Sequence, residues 1–210
     1  MSDEPFVVVD VDEGLERILH SLQKLPDQLA APQALQKALN TTARKARTRL
    51  IKEAGKRYAL SKPEVLKTES KVENNASDTS ATIISKGSMR DIMDFLTQPN
   101  SDTAAAAAQV LNSSSMSPLE SNGMKAFVTR FASGHTAIVQ RQAGKQYTSA
   151  GASARAEKYG RGVDMTKIKK LLSPAVPQML GNAEGVEAAQ ALVIELLDKE
   201  LDKQIEKALE

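Results

Sequence analysis

The sequence predicts an α+β fold with two N-terminal helices, a small, mostly antiparallel sheet built round a central hairpin, and a long C-terminal helix. Three observations lead there. Apolar residues recur at helical spacing near both ends of the chain, the stretch Met124–Gln142 alternates at period two about a short turn, and Gly, Pro, Ser and Asn punctuate the segments between.

Met124–Gln142 is the stretch round which the sheet is expected to form. Phe127, Thr129 and Phe131 fall on one side at period two, with Ala126, Val128 and Arg130 on the other. Ala132-Ser133-Gly134-His135 forms the turn, where Gly134 supplies a positive φ. A β-rich run, Thr136-Ala137-Ile138-Val139, leads on to Arg141. Two of the four phenylalanines lie here, which makes the hairpin a candidate for the sheet core.

The remaining elements follow in order. Phe6–Val11 reads as an edge strand or an arm reaching a neighbouring subunit. Asp12 then caps a helix carrying Leu15, Ile18, Leu19 and Leu22, which Pro26 ends. A second helix begins near Pro32, with Leu35, Leu39, Ala43, Ala46, Leu50 and Ala54 on one face, and closes at Gly55 and Ser61-Lys62-Pro63. Val65–Glu73 and Ser80–Lys86 are strand candidates that pair as a hairpin, and Met89–Leu96 is a short helical turn or strand. In Pro99–Gly123 the run Ala104–Ala108 is expected to be a short surface helix within a flexible connector. Ala143–Gly162 has no apolar periodicity and reads as a long basic loop. Ser173–Leu180 is a Pro-bounded segment starting a helix that Gly181-Asn182 breaks. The last helix, about Glu184–Leu209, carries Val186, Ala189, Val193, Leu196, Leu197, Leu201 and Ile205.

A length of 210 residues fits one domain with appended arms. The expected organisation is a single domain over 1–210, with a flexible N-terminal arm (1–11), an Ala/Ser-rich insertion (99–123) and the basic loop (143–162). With 3% aromatics and no Trp, the core is expected to be thin and its stability supplemented by an oligomer. No cysteine is present, so disulfides, thiolate nucleophiles and cysteine metal sites are excluded. The acidic N-terminus lacks a basic, apolar leader, and no run reaches a membrane span, so the chain is expected to be intracellular when made.

The net charge of +2 conceals segregation. Between Ala31 and Tyr58 eight Lys or Arg face Glu53 alone, and between Glu184 and Glu210 eight acids face three lysines. This predicts pairing of the two helices within a protomer or between neighbours, or else two solvated faces that never meet. From Lys125 to Lys170 ten cations face Glu157 and Asp164, which suits nonspecific contact with phosphates. No constellation for catalysis stands out. His20 and His135 are far apart and fit no metal-ligand spacing, Asp10 and Asp12 read as an acidic helix start, and the glycines match no phosphate-binding loop. An enzyme, a cofactor and a metal are therefore not expected.

Lys125-Ala126-Phe127-Val128-Thr129-Arg130-Phe131 followed by Ser133-Gly134-His135 resembles the minor tail protein Z family of tailed phages and prophages. Ala38-Leu39-Asn40-Thr41-Thr42-Ala43 with Arg44 and Arg47, Ile138-Val139-Gln140-Arg141, and Ser173–Leu180 resemble other segments of that family, in the same order over about Leu15–Leu209. The Pro99–Pro118 and Ala143–Gly162 stretches depart from its pattern. The resemblance implies a structural virion protein that completes or terminates the tail at its head-proximal end and helps to join head and tail. It would be made in the host cytoplasm and act as a homo-oligomer, commonly a six-fold ring, between the tail tube and the neck or connector proteins. Alternatives are another neck component (a connector or adaptor) and a nonspecific DNA-binding protein. Residues expected at a subunit interface or a DNA channel are Arg44, Arg47, Arg130, His135, Arg141, Lys145, Arg155, Lys158 and Arg161.

Overall fold

The computed structural model describes residues 7–8, 30–74, 80–98, 105–160 and 164–209. The fold is α+β, as expected. The chain divides into two compact units. The first comprises Met1–Arg57, Pro63–Ser88 and Pro174–Glu210; the second comprises Tyr58–Lys62 and Met89–Ser173. The helix expected over 12–26, with His20, lies outside the described residues, as do Asp10, Asp12 and Arg161.

Along the chain, β1 (Val7–Val8) pairs antiparallel with β3, so this part of the N-terminal segment is an edge strand within the chain. Helix α1 (Ala30–Arg57) runs through Gly55, which the sequence reading placed at its end. Lys56 and Arg57 in its last turn complement the partial negative charge there. Val65–Glu73 is not one strand. Val65–Thr68 is a short helix, α2, whose Leu66 is fully buried, and β2 (Ser70–Asn74) begins after it. The hairpin of β2 with β3 (Ala81–Ser85) is as expected, in register from Ser70↔Ser85 to Asn74↔Ala81.

Met89–Leu96 becomes β4 (Arg90–Asp91), a 3-10 turn (Ile92–Asp94) and the start of β5 (Leu96–Gln98). The alanine run is a correction. Ala107–Gln109 is strand β6, paired with β5 and with β7 (Ser117–Pro118), and Ala106, Ala107 and Ala108 are buried. The Ala106 amide donates to Ala126 O and its carbonyl accepts from Leu119 N, both at 2.8 Å. Here the backbone partners decide the conformation against alanine's helical preference, and the methyl groups fit where larger side chains would not. The described part of 99–123 is therefore built into the sheets and is not a flexible connector.

Strand β8 (Glu120–Ser121) leads into β9 (Met124–Arg130), which pairs with β10 (Thr136–Gln146) from Ala126↔Gln140 to Arg130↔Thr136. Gly134 has φ +84°, as the turn requires. The basic loop is a further correction. Strand β10 extends through Gln146, and Ser149–Tyr159 is helix α3, whose frequent alanines favour a helix without marking an apolar face. Then come β11 (Thr166–Lys170), β12 (Leu172–Ser173), α4 (Val176–Leu180) and α5 (Ala183–Leu209). Gln178 caps α4 from its side chain, and Asn182 both accepts from Gly185 N and donates to Met179 O, which fixes the break between α4 and α5.

The first unit rests on α1 against α5. Ala34, Ala38, Leu39 and Ala43 pack with Leu197, Leu201, Ile205 and Ala81 of β3. Small residues on α1 leave room for the leucines and isoleucine of α5. Each large side chain fully removed from water there contributes about 1.5–3 kcal/mol. At the flank Lys45 Nζ donates to Glu200 Oε1, and Arg57 Nη1 lies 2.8 Å from Glu184 Oε2. The basic and acidic helices thus pair inside one chain. In the second unit, β11-β10-β9-β8 form one sheet, and Ile92, Ala106, Ala108, Ala126 and Ile138 form the core. Phe127 and Phe131 are only half-buried, so the hairpin core is Ala126, Ala137, Ile138 and Val139; among the described phenylalanines the buried one is Phe95.

The Lys45 ammonium holds Glu200 below the ordinary carboxylate value. With the folded value below the unfolded one, the pair's contribution is complete above the unfolded value and fades as pH falls through the folded one. Glu200→Ala should lower stability by about 1–2 kcal/mol at neutral pH in urea unfolding, with the deficit shrinking in acid. Ala38→Leu should cost about 1–3 kcal/mol through overpacking, with no such pH dependence.

Candidate functional site

Two carboxylates organise the cations and aromatic rings of the second unit. The first is Asp91, at the end of β4. Its Oδ1 accepts from Met93 N at 3.1 Å and so caps the 3-10 turn. Its Oδ2 meets Lys170 Nζ at 2.8 Å and His135 Nε2 at 3.3 Å. Lys170 Nζ is also 3.1 Å from His135 Nε2. The ammonium only donates and the carboxylate only accepts, so the tautomer of His135 decides which of the two its Nε2 bonds. The imidazole stacks on Phe131 with centroids 6.3 Å apart and planes 11° apart. One carboxylate thereby ties the exposed hairpin turn to β4 and β11.

The second is Asp164, just before β11. Its Oδ1 accepts from Thr166 N at 2.8 Å, and its Oδ2 lies 3.0 Å from Arg141 Nε. Its main-chain oxygen accepts from Arg155 Nη2 at 3.4 Å. The amide and hydroxyl of Thr166, with the charges of Arg141 and Arg155 behind them, hold this carboxyl below its usual range. Each guanidinium also lies over an aromatic ring: Arg141 5.2 Å from the Phe127 centroid, Arg155 4.7 Å from that of Tyr147. The Tyr147 amide donates to Met165 O at 3.0 Å and anchors the end of β10 beside the start of β11.

The residues expected at an interface or channel are thus divided. His135, Arg141 and Arg155 share these two clusters in the second unit. Arg130, Lys145 and Lys158 are exposed in that unit. Arg44 is exposed on α1 of the first unit. Arg47 has a structural role there: Nε donates to Ser70 Oγ at 3.1 Å, and Nη2 donates to Lys67 O at 2.5 Å and Ser70 O at 2.7 Å, joining α1 to the turn between α2 and β2. Sequence reading did not single out Asp91, Lys170, Tyr147 or the role of Asp164. The available signal was the scarcity of acids between Lys125 and Lys170, which makes Asp164 a natural hub. Asp91 is distant in sequence from both of its cationic partners.

No family model, curated protein or solved structure matches this chain. Among the described residues, no group of three or more His, Cys, Asp or Glu is placed to hold a metal ion, and no helix is long and apolar enough to cross a membrane.

Asp91→Ala should release Lys170, His135 and the 3-10 turn together. The expected loss is about 1–3 kcal/mol, with faster amide hydrogen exchange at 131–135 and 166–170 and little change in α1.

Proposed function

We propose that this chain is a structural virion protein of a tailed bacteriophage, acting at the head-proximal end of the tail, where it completes or terminates the tail and helps to join it to the head. The observation that carries the reading is the ordered set of family-like segments, each of which coincides with a distinct part of the fold. Lys125–Arg141 is the β9–β10 hairpin, Ala38–Arg47 lies within α1, and Ser173–Leu180 leads through α4 to the start of α5.

The arrangement of side chains favours a building block. Asp91 and Asp164 are engaged in pinning strands, a turn and two guanidinium groups. A hairpin turn tied down at its base offers a defined surface to a neighbouring subunit. The ring expected from the family resemblance uses contacts other than the oppositely charged helices, because Lys45–Glu200 and Arg57–Glu184 already join α1 and α5 within one chain. On this reading the subunit is a homo-oligomer that contacts the tail tube and the neck proteins.

Particles assembled without the gene for this chain should show unjoined heads and tails, or tails of irregular length, in electron micrographs. Normal infectious particles would overturn the proposal.

A further inference from the structure

The charge of the molecule is divided between its units. The second unit carries twelve Lys or Arg against six Asp or Glu, a formal +6, while the remainder carries sixteen against twenty, a formal −4. Internal pairing engages several of the second unit's cations. Asp91 takes Lys170, Asp164 takes Arg141, and Arg90 Nε lies 2.8 Å from Asp94 Oδ2. Lys145, Lys167 and Lys169 have no acidic partner among the described residues.

Lys167 and Lys169 lie on the edge strand β11, and Lys145 lies on the part of β10 that faces it. Strands β10 and β11 pair at Arg141↔Ile168 and again at Gln146↔Thr166, so Gln142, Ala143, Gly144 and Lys145 bulge opposite Lys167 alone. Gly144, at φ +69°, makes that bulge possible, and 143–146 is exposed. Lys167 and Lys169, two residues apart, share one face of β11. Beside the bulge, the Arg155 guanidinium of α3 lies over the Tyr147 ring, 4.7 Å from its centroid.

We infer that this β10–β11 edge, with Lys145, Lys167 and Lys169 as its contacts, binds the phosphate backbone of duplex DNA without reading sequence. A row of ammonium groups on a rigid strand edge neutralises successive phosphates and releases their counterions. The Arg155 guanidinium already occupies one face of the nearby Tyr147 ring. Lysines on a terminal strand also discourage edge-to-edge pairing. That role explains Lys167 and Lys169 on β11 but not Lys145 on the bulge of the inner strand β10. The surface adds a ligand to the proposed virion role and stands apart from it, because binding is read on purified protein.

The test is fluorescence anisotropy with short labelled DNA duplexes over a range of salt concentrations. The triple variant Lys145→Gln, Lys167→Gln, Lys169→Gln should bind about tenfold or more weakly and lose about 2–3 from the log–log salt slope. A charge-matched control at exposed positions of the first unit, Lys37→Gln, Lys52→Gln, Lys67→Gln, should retain wild-type affinity and slope. Two duplexes of unrelated sequence should bind the wild-type protein alike. Absence of binding by the wild type, an unchanged triple variant, an equal loss in the control, or strong preference for one duplex would each overturn the inference. Normal DNA binding by a protein whose gene is dispensable for particle assembly would leave this surface standing and remove the virion role alone.

Discussion

The contact between α1 and α5 is the constraint on which the first unit depends. These are the two long helices among the described residues, and one buries a row of alanines where the other buries leucine and isoleucine. A small-residue face permits close approach only if a large-residue face is brought to it, so the two stripes specify one another. Charge follows the same pairing: the cations of α1 and the acids of α5 meet at Lys45–Glu200 and Arg57–Glu184. Glu200 is 8% exposed and would be costly to bury alone, which makes Lys45 part of the packing rather than surface decoration. The hairpin of β2 and β3 adds Ala81 and Val72 to the same cluster.

The second unit reaches order by another route. Apart from β9 and β10 its strands are short, and much of its core is alanine, so burial per residue is modest. Two acids compensate by gathering groups from distant parts of the sequence. Asp91 joins β4, the hairpin turn and β11, while Asp164 joins β10, α3 and the start of β11. Both act through ion pairs reinforced by backbone donors, which gives direction as well as attraction.

The sequence was most legible where periodicity and bulk agreed. The helical stripe from Leu39 to Ala54 and that from Ala189 to Ile205 are buried in α1 and α5, and the period-two run at Met124–Gln142 is the β9–β10 hairpin. Legibility failed where alanine was involved. Ala106–Ala108 has helical propensity but is held in strands by Ala126 and Leu119, whereas the alanines of 149–159 do form a helix that the lack of an apolar stripe concealed. Both stretches are rich in alanine; the difference lies in long-range backbone partners, which no local window contains. The Phe127 face was taken for core because aromatics are scarce, yet Phe127 serves as a platform for Arg141. Of the expected site residues, His135, Arg141 and Arg155 belong to organised clusters, and Arg47 proved to be a structural clamp.

We propose a repeating structural element at the upper end of a phage tail, in which each copy pairs α1 with α5 within its own chain. Charge pairing joins α1 and α5 within one chain, and the hairpin turn at 132–135 is exposed. Cryo-electron microscopy of the intact particle at the junction of head and tail tests this most directly. The account predicts a ring of copies of this chain there, with α1 and α5 paired inside every copy. A junction built entirely from other chains, or a ring in which those two helices pair only between neighbours, would contradict it.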